Sequence, residues 1–306
     1  MADFASTGLV RLMVRVLGEK DPALVEGIGR SGPMPGAVEP DAGKRLLIAR
    51  TLESHGPGLL LSVGQELHRI DEAPLHAALL ASPDPAVLAE KWMRLERYFH
   101  ATHRTRIVAR PGGWFCRRSA PDAPPGAGEN CLIAGLLLGL AGRIGVTGAR
   151  LVIAGQTLAP ADFAAFRLPE SETAEVFGIG WDGVGAALAL PHPTDGGEDG
   201  LSDRLADLMA ADAGRAWRID SVAEMAGLAP RTLQRRLTEA GWTFSALLRR
   251  ARMRAASQLL ADPAVTLAEI GYCCGYADQA HFQRDFRRMT NMTPNAFRRQ
   301  ALAAGS

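Results

Sequence analysis

The sequence lacks the features that mark membrane-spanning, secreted and metal-binding proteins. Its longest apolar run, from Cys131 to Ala141, is much shorter than the roughly 20 residues of a membrane helix, and no basic segment with an apolar core opens the chain. The chain has only four cysteines, and they lack the spacing of a metal site. We therefore expect a cytoplasmic protein with buried thiols, without a metal and without a cofactor.

Lysine is absent from the C-terminal third of the chain. Residues 201–306 contain 15 arginines and 10 acidic residues, which gives this part a net charge of +5, whereas residues 1–200 carry a net charge of about −4. A positively charged region can approach a polyanion, and the arginine guanidinium can form two hydrogen bonds to a phosphate or a guanine edge. The C-terminal part is therefore the part that we expect to contact nucleic acid.

The chain of 306 residues is long enough for two domains of usual size. Residues 191–200 are rich in proline, glycine and acidic residues and have no apolar periodicity, which is typical of a linker. We therefore predict an N-terminal domain over residues 1–190 and a C-terminal domain over residues 201–306. A similar two-helix pattern occurs twice in the C-terminal domain, over residues 219–241 and 266–291.

Both helices and strands are predicted in the N-terminal domain. The spacing of apolar residues predicts a helix over 85–103, and the apolar composition of 131–143 predicts a buried helix. In the second helix Gly135 and Gly139 lie four residues apart, which favours the close approach of another backbone. The segment 121–130 is predicted to be a loop. The short segments that we predict to be strands are 106–108, 151–153, 175–179 and 187–190.

The first copy of the repeat has the signals of two short helices separated by a tight turn. Asp220 or Ser221 can cap a helix that Gly227 ends, and Pro230 is suited to the first position of the helix that follows. Two leucines one turn apart give this second helix an inner face. The side chains that it leaves on or near the outside are Arg231, Gln234, Arg235 and Thr238.

The second copy follows the same plan with a longer turn. Thr266 caps its first helix, the turn is predicted over 271–277, and Asp278 caps a second helix that ends near Asn291, a candidate left-handed residue. Two phenylalanines one turn apart face inward. The residues on or near the exposed side are Gln279, Ala280, Gln283, Arg284 and Arg287.

A single helix is predicted to connect the two copies. Residues 245–260 have apolar side chains at helical spacing, namely Leu248, Ala251, Ala255 and Leu259, and Pro263 follows the helix. A helix of this length spans about 24 Å. Because successive major grooves on one side of a duplex lie about 34 Å apart, we expect one chain to read two adjacent half-sites.

These residues resemble the DNA-binding domain of the AraC/XylS family of bacterial transcriptional regulators, over about Ile219 to Arg299. The segments that carry the likeness are 226–237, 254–260, 270–278, 282–288 and 293–294. The resemblance implies that the second helix of each copy enters the major groove. The resemblance also implies which residues contact bases or phosphates. They are Arg231, Gln234 and Arg235 in the first copy and Gln279, Ala280, Gln283 and Arg284 in the second.

Two departures from the family pattern affect the expected site. Ala229 stands where the family usually has a helix-capping serine, a loss of about 1 kcal/mol unless Pro230 offsets it. Ala280 can contact only a thymine methyl group, so its half-site depends on neighbouring residues.

The N-terminal domain resembles, over fewer residues, the effector-binding half of regulators of the ornithine-utilisation-regulator and VirS type. The likeness depends on residues 61–65, on 95–99 and on the apolar segment after Cys131. It implies a sensor that binds a small molecule or mediates dimerisation. The residues that we expect to line an effector pocket are Trp92, Tyr98, Trp114 and Arg117. His100 and His103 have no carboxylate or cysteine within three residues of either one, so no metal site is expected there.

Together, the patterns and the resemblance predict a mainly α protein. It would have an all-α C-terminal domain, with two helix-turn-helix units joined by a linker helix, and a mixed α+β N-terminal effector domain. The implied function is a sequence-specific transcriptional regulator, an activator, that responds to a small-molecule effector. The implied partners are double-stranded DNA, the effector, RNA polymerase and a second copy of the chain, without a membrane.

Two other functions stay open at this point. A regulator without a ligand would have the same C-terminal sequence, and an enzyme could use the C-terminal domain to reach DNA. The enzyme is disfavoured because the first domain has no nucleophile elbow and no set of metal ligands. Residues 178–183 have the glycine spacing of a dinucleotide fingerprint, but no long helix can follow before Pro191. We predict instead a glycine-rich turn between two strands.

Overall fold

The protein forms two compact units, described here from a computed structural model. The described residues are 7–28, 40–70, 74–99, 102–121, 123–185 and 200–304. The N-terminal unit comprises residues 1–73 and 84–187, and the C-terminal unit comprises residues 74–83 and 188–306. Most of the predicted linker lies outside the described residues, so the boundaries drawn from sequence stay predictions. In the described part of the chain, no helix is both long and apolar enough to cross a membrane.

Helices and a small sheet make up the N-terminal unit. Its helices are α1 (Thr7–Lys20), α2 (Pro40–Ser54), α3 (Pro57–Ser62), α5 (Pro85–Tyr98) and α6 (Ala127–Arg143), while α4 (Pro74–Leu80) belongs to the C-terminal unit. The predicted helix 85–103 ends earlier, at Tyr98, because the chain enters a strand at Arg104. The apolar periodicity does not show this end, since Phe99 continues it.

Helix α6 lies in the core of the N-terminal unit, as predicted. Its residues from Cys131 to Leu140 are all buried, in keeping with a helix that is apolar on every side. A Cβ atom on Gly135 would collide with the carbonyl oxygen of Leu61, and one on Gly139 would collide with that of Gly64. The predicted close approach is therefore confirmed. The loop prediction for 121–130 was wrong at its end, because α6 begins at Ala127 without a side-chain cap that would have marked it.

The N-terminal unit also contains seven short antiparallel strands in its described residues. They are β1 (Arg104–Arg110), β2 (Gly113–Ser119), β3 (Val146–Thr147), β4 (Arg150–Ile153), β5 (Gln156–Leu158), β6 (Val176–Gly180) and β7 (Gly183–Val184). A five-stranded sheet has the order β1-β2-β6-β4-β5, and β3 pairs with β7. Three of the predicted strands are present, and the fourth, 187–190, lies outside the described residues. The glycine-rich turn between two strands is confirmed, because it joins β6 to β7.

A buried ion-pair network joins the sheet to the helices of the N-terminal unit. The Arg118 side chain is 1% exposed and donates hydrogen bonds to Asn130, Thr105 and Glu129 over 2.7–3.0 Å. Glu96 lies 3.5 Å from the same guanidinium, and burial raises the pKa of this carboxyl group. Such a buried charge is tolerated because it is paired and hydrogen-bonded. The burial of Arg118 also explains why the sequence did not predict β2, because a buried arginine interrupts the apolar alternation that marks a strand.

The C-terminal unit is entirely helical in its described residues. Besides α4 it contains α7 (Leu201–Ala211), α8 (Ile219–Met225), α9 (Pro230–Glu239), α10 (Phe244–Leu260), α11 (Leu267–Cys273), α12 (Gln279–Thr290) and α13 (Pro294–Ala304). Helix α4, which the sequence did not predict, packs against α11 and buries Leu75 and Leu79. All four cysteines of the chain are free and buried, as expected.

Helix α10 contributes to two separate apolar cores. Its first half places Leu247 and Ala251 in a cluster with α7, α8 and α9, and its second half places Ala256 and Leu260 in a cluster with α11 and α12. The predicted helix is therefore present, and its apolar residues contact both cores. Ala251 is fully buried, while Leu248, Ala255 and Leu259 are partly buried and pack against the two clusters. The buried side changes along the helix because each end packs against a different core.

Candidate nucleic-acid interface

Helices α8 and α9 form the first helix-turn-helix unit. Helix α8 starts at Ile219, so neither Asp220 nor Ser221 is its cap; the Ser221 hydroxyl instead donates to the carbonyl oxygen of Arg218 over 2.9 Å from inside the first turn. Gly227 has a φ of +63° and follows the helix, which confirms the predicted stop. Pro230 is the first residue of α9, also as predicted.

The outer face of α9 is polar and accessible. Leu233 and Leu237 are buried in the first core, which leaves the predicted readers exposed on the other side: Arg231, Gln234, Arg235 and Thr238. Arg235 Nη1 donates to Glu239 Oε1 over 2.8 Å within the helix, and the Arg235 side chain is still 66% exposed. An exposed pair of this kind is weak, so a phosphate or a base edge can displace it.

Helices α11 and α12 form the second helix-turn-helix unit. Thr266 caps α11 and exchanges hydrogen bonds with Glu269, as in a capping box. The helix continues to Cys273, so the predicted start of the turn at Gly271 was wrong. Gly275, with a φ of +76°, is the glycine that the turn requires, and a Cβ atom there would collide with the carbonyl oxygen of Ala213.

The outer face of α12 carries the second set of predicted readers. Asp278 caps the helix by accepting a hydrogen bond from the His281 backbone N–H over 2.6 Å, and Asn291 ends it with a φ of +56°, both as predicted. Phe282 and Phe286 are buried in the second core. Gln283 is partly buried, and the readers that are fully accessible are Gln279, Ala280, Arg284 and Arg287.

Asp285 ties α12 to its neighbours, and sequence reasoning missed this role. Its carboxylate, only 10% exposed, accepts hydrogen bonds from the Tyr276 hydroxyl over 3.0 Å and from Arg288 over 2.9 Å. Arg249 of helix α10 lies 3.4 Å away. Burial, together with the Asp285 charge, raises the pKa of Tyr276. The available signal was an acidic residue between two inward phenylalanines in an otherwise basic helix.

Several basic side chains lie around Asp285, beside α12. Arg249, Arg252, Arg284 and Arg288 line a groove of about 580 Å³ between α10 and α12. Asp285 is the one acidic residue among the groove's described lining residues. Arginines grouped in this way can neutralise several phosphates, a contact that sets the register of a protein on DNA without reading bases.

The four residues expected in an effector pocket do not line one cavity. Trp92 is buried and donates to Glu96 over 3.0 Å, and Tyr98 is buried on the same helix. Trp114 packs edge-on against Trp181 on the inner side of β2, whereas Arg117 is exposed on the opposite side of that strand. Alternate residues of a strand face opposite ways, so Trp114 and Arg117 cannot share a pocket.

The histidine pair considered as metal ligands also has another environment. His103 Nδ1 lies 2.7 Å from Glu129 Oε2, a carboxylate 26 residues away that helical spacing could not reveal. His100 lies outside the described residues. Across the described ranges, no group of three or more histidine, cysteine or acidic side chains is arranged to hold a metal ion.

The fold and the two exposed helix faces define a class, a DNA-binding domain built from two helix-turn-helix units. A sequence-family profile described as a helix-turn-helix domain matches residues 222–300. The same part of the chain is 34% identical to the urease operon transcriptional activator of Escherichia coli over 94 residues. These residues are 31% of this chain and 32% of that protein. This part of the chain is also 37% identical over 79 residues to the regulator VirS of Mycobacterium tuberculosis, or 26% of this chain and 23% of VirS.

Solved structures of regulators match with lower similarity. The C-terminal domain of AraT from Geobacillus stearothermophilus is 29% identical, covers 32% of this chain and 84% of its own, and has a TM-score of 0.29. CdpR from Pseudomonas aeruginosa is 18% identical over 97% of this chain and 99% of its own, with a TM-score of 0.35.

The C-terminal unit therefore contains a helix-turn-helix domain, over residues 222–300, that is similar to part of these regulators of transcription. The chain spans only about a quarter to a third of the length of the curated relatives that it matches.

Proposed function

We propose that the chain is a sequence-specific DNA-binding transcriptional regulator whose helices α9 and α12 read two different half-sites. The observation that carries this proposal is the pair of exposed, arginine- and amide-bearing helix faces in the two units that α10 connects. Helix α10 has 17 residues and is about 25 Å long. That length supports placing the two recognition helices in successive major grooves, which lie about 34 Å apart.

The two half-sites should differ because the two faces offer different chemistry. On α9, Arg231 and Arg235 can each form two hydrogen bonds to guanine, and Gln234 can form two to adenine. On α12, Ala280 offers only a methyl contact to thymine, and the partly buried Gln283 has less reach. Sequence preference in the second half-site then depends mainly on Gln279 and Arg284.

Activation and the response to an effector are parts of the same proposal. Among the relatives, the urease operon activator and the regulator RhaS of Escherichia coli are both named as activators; RhaS is 39% identical over 80 residues, or 26% of this chain and 29% of RhaS. We infer on this basis an activator that works with RNA polymerase in the cytoplasm. The N-terminal unit would bind a small-molecule effector and pair with a second copy of the chain.

An enzymatic function has less support. The matched relatives are named as regulators of transcription, which is consistent with a protein that is not an enzyme. The glycine-rich segment that suggested a dinucleotide site is a turn between β6 and β7.

The experiment that tests the proposal is selection of binding sites from random duplex DNA by the full chain. We expect a bipartite motif with unlike halves, centred about one helical turn apart on the DNA. A control chain with Arg231, Arg235, Arg284 and Arg287 all changed to alanine should select no motif. Recovery of a palindrome with identical halves, or of no preferred sequence, would contradict the proposal.

A further inference from the structure

One face of the five-stranded sheet in the N-terminal unit is open. In β2 the side chains of Trp114, Cys116 and Arg118 face the helices and are buried, while Phe115 and Arg117 face the other way and are exposed. We call the side of the sheet on which Phe115 lies the outer face. Because side chains alternate along a strand, the pairing register identifies the other residues on this face.

An apolar row crosses the centre of the outer face. Val108 of β1 pairs with Phe115, Phe115 pairs with Gly178 of β6, and Gly178 pairs with Val152 of β4. Phe115 is 39% exposed and Val152 is 43% exposed, which is unusual for large apolar side chains in the middle of a sheet. The row therefore presents apolar surface to whatever approaches this side.

Gly178 and Gly180 leave the backbone of β6 uncovered on the outer face, although the fold does not require glycine at either position. A Cβ atom on Gly178 would meet no heavy atom closer than 3.5 Å, and one on Gly180 none closer than 3.9 Å. Neither residue has the positive φ that would demand glycine. A glycine inside a strand weakens the strand and often marks a place where another backbone approaches closely. The space above Gly178, between Phe115 and Val152, is thus open for a side chain from outside.

Arginines border the apolar row on both sides. Arg106 of β1 lies directly opposite Arg117 of β2 on one side, and Arg110 and Arg150 lie on the other. Within the described ranges, neither a hydrogen bond nor an ion pair holds the side chains of Arg106, Arg110 or Arg117. Like charges directly opposite each other on a sheet are destabilising. An anionic partner would remove this cost.

The positive charge is a local property of the outer face. Residues 1–200 carry a net charge of about −4, yet none of the described strand positions that face outward is acidic. Asp182, in the turn after β6, forms an ion pair with Arg150 at the edge. The charge pattern therefore complements a negatively charged partner.

We propose that the outer face is a docking surface for an acidic peptide segment of a partner protein. An apolar side chain of the segment lies over Gly178, between Phe115 and Val152, and flanking carboxylates pair with Arg106, Arg117 and Arg110. This proposal does not depend on how the C-terminal unit reads DNA.

Three other occupants fit the outer face less well. A small molecule needs a concave site that buries most of its surface, and an open sheet has none. A second copy docked face to face by a twofold axis would bring arginines against arginines. Single-stranded nucleic acid uses several successive aromatic side chains, whereas Phe115 is alone in the row, and the apolar row would lie beneath phosphates.

The test measures binding of labelled synthetic peptides to the full chain by fluorescence anisotropy. The main probe alternates glutamate with leucine and phenylalanine over about twelve residues, enough to cross the sheet at about 3.3 Å per residue. Three comparison probes are the same peptide with glutamine for glutamate, the same peptide with serine for its apolar residues, and a single-stranded DNA. We expect the main probe to bind and the two altered peptides to bind at least about ten-fold more weakly. Any binding of the single-stranded DNA, which the C-terminal unit can provide, should not change when the arginines of the outer face are replaced.

Variants of the chain separate docking from folding. Gly178→Val places a Cβ atom where no heavy atom lies closer than 3.5 Å, and a β-branched residue favours a strand. It should keep or raise thermal stability, yet weaken binding of the main probe about ten-fold by occupying the space above residue 178. Arg106→Glu with Arg117→Glu keeps a like-charged pair and should weaken binding at least as much. The matched control, Arg11→Glu with Arg97→Glu, changes two exposed helix arginines of the same unit and should leave binding unchanged.

Several results would overturn the proposal. These are failure of the main probe to bind, equal binding of the serine peptide, a loss of single-stranded DNA binding in the sheet variant, unchanged affinity for the main probe in Gly178→Val, or a loss in the control variant as large as in the sheet variant.

Discussion

The proposed recognition helices α9 and α12 lie in helix-turn-helix units of the same plan but are held in place differently. The residue before α9 is Ala229, which gives no side-chain cap, and the Arg235–Glu239 ion pair is exposed and internal to the helix. The residue before α12 is Asp278, which caps the helix, and Asp285 links α12 to Tyr276 and to helix α10. Apolar packing of Leu233 and Leu237 holds α9, whereas α12 is held by apolar packing and also by these polar contacts.

This difference bears on how each half-site is recognised. A helix whose orientation is fixed by hydrogen bonds can hold a small number of base-reading side chains in accurate positions. This suits α12, where Ala280 cannot form a hydrogen bond to a base. A helix that is held by the packing of two leucines can adjust, which suits α9 with its larger set of exposed polar side chains. The comparison predicts a more adaptable first half-site and a stricter second one.

The largest effect on stability is expected when each of the two apolar cores is disrupted by a separate substitution. Leu237→Ala in the first core and Phe286→Ala in the second should each destabilise their own unit by about 2 to 5 kcal/mol. Phe286→Ala should cost more, because Phe286 also packs edge-on against Phe282 and Phe297, with ring centroids 5.7 and 5.4 Å away.

Hydrogen exchange of the full chain, resolved by peptide, measures this prediction. Loss of protection should stay mainly in α8 and α9 for Leu237→Ala, and in α11 and α12 for Phe286→Ala. Equal loss across both units in both variants would show that α10 does not separate two cores.

The second prediction compares the carboxylates that hold the two readers. Asp285→Ala leaves the buried Tyr276 hydroxyl without its acceptor and should lower the free energy of unfolding by about 1 to 3 kcal/mol. Glu239→Ala removes only an exposed pair and should change it by less than about 0.5 kcal/mol. Urea unfolding of the full chain, followed by hydrogen exchange in α9 and α12, distinguishes them. Similar losses in both variants would remove the proposed difference between the units.

The third prediction uses the helix caps, which should respond in opposite directions. Asp278→Ala deletes the bond to the His281 N–H and should destabilise the second unit by about 1 kcal/mol. Ala229→Ser supplies a missing cap at a residue with extended backbone angles and should stabilise the first unit by a similar amount. Thermal unfolding midpoints measure both. If Ala229→Ser gives no gain, Pro230 already supplies what the serine would add.

The sequence predicted the local features of both units better than their tertiary contacts. The predicted features that are present include the exposed faces of α9 and α12, the stops at Gly227 and Asn291 and the caps at Thr266 and Asp278. They follow from amphipathic spacing and capping chemistry. Gly271 was misread as the start of a turn because nothing local distinguishes it from Gly275. The role of Asp285 requires knowing that Tyr276 and α10 lie beside it.

In the N-terminal unit the limits of sequence reasoning have the same origin. Helix α6 and its glycine contacts were predictable because burial on all sides leaves a continuous apolar segment. Strand β2 was not, because Arg118 is buried by partners that lie far away in sequence. The four residues expected in one effector pocket do not share a cavity. Side chains alternate along β2, so Trp114 and Arg117 lie on opposite faces of the sheet.

The central claim, that two unequal helices read two different half-sites, is tested most directly by combining protein and DNA changes. The affinities of the unaltered chain, Arg235→Ala and Arg284→Ala are measured for the selected duplex and for duplexes with either half scrambled. Each variant should lose about 1 to 3 kcal/mol on the intact site. The account predicts that the loss from Arg235→Ala disappears only when one half is scrambled, and the loss from Arg284→Ala only when the other is. Losses that depend on the same half for both variants, or on neither, would contradict it.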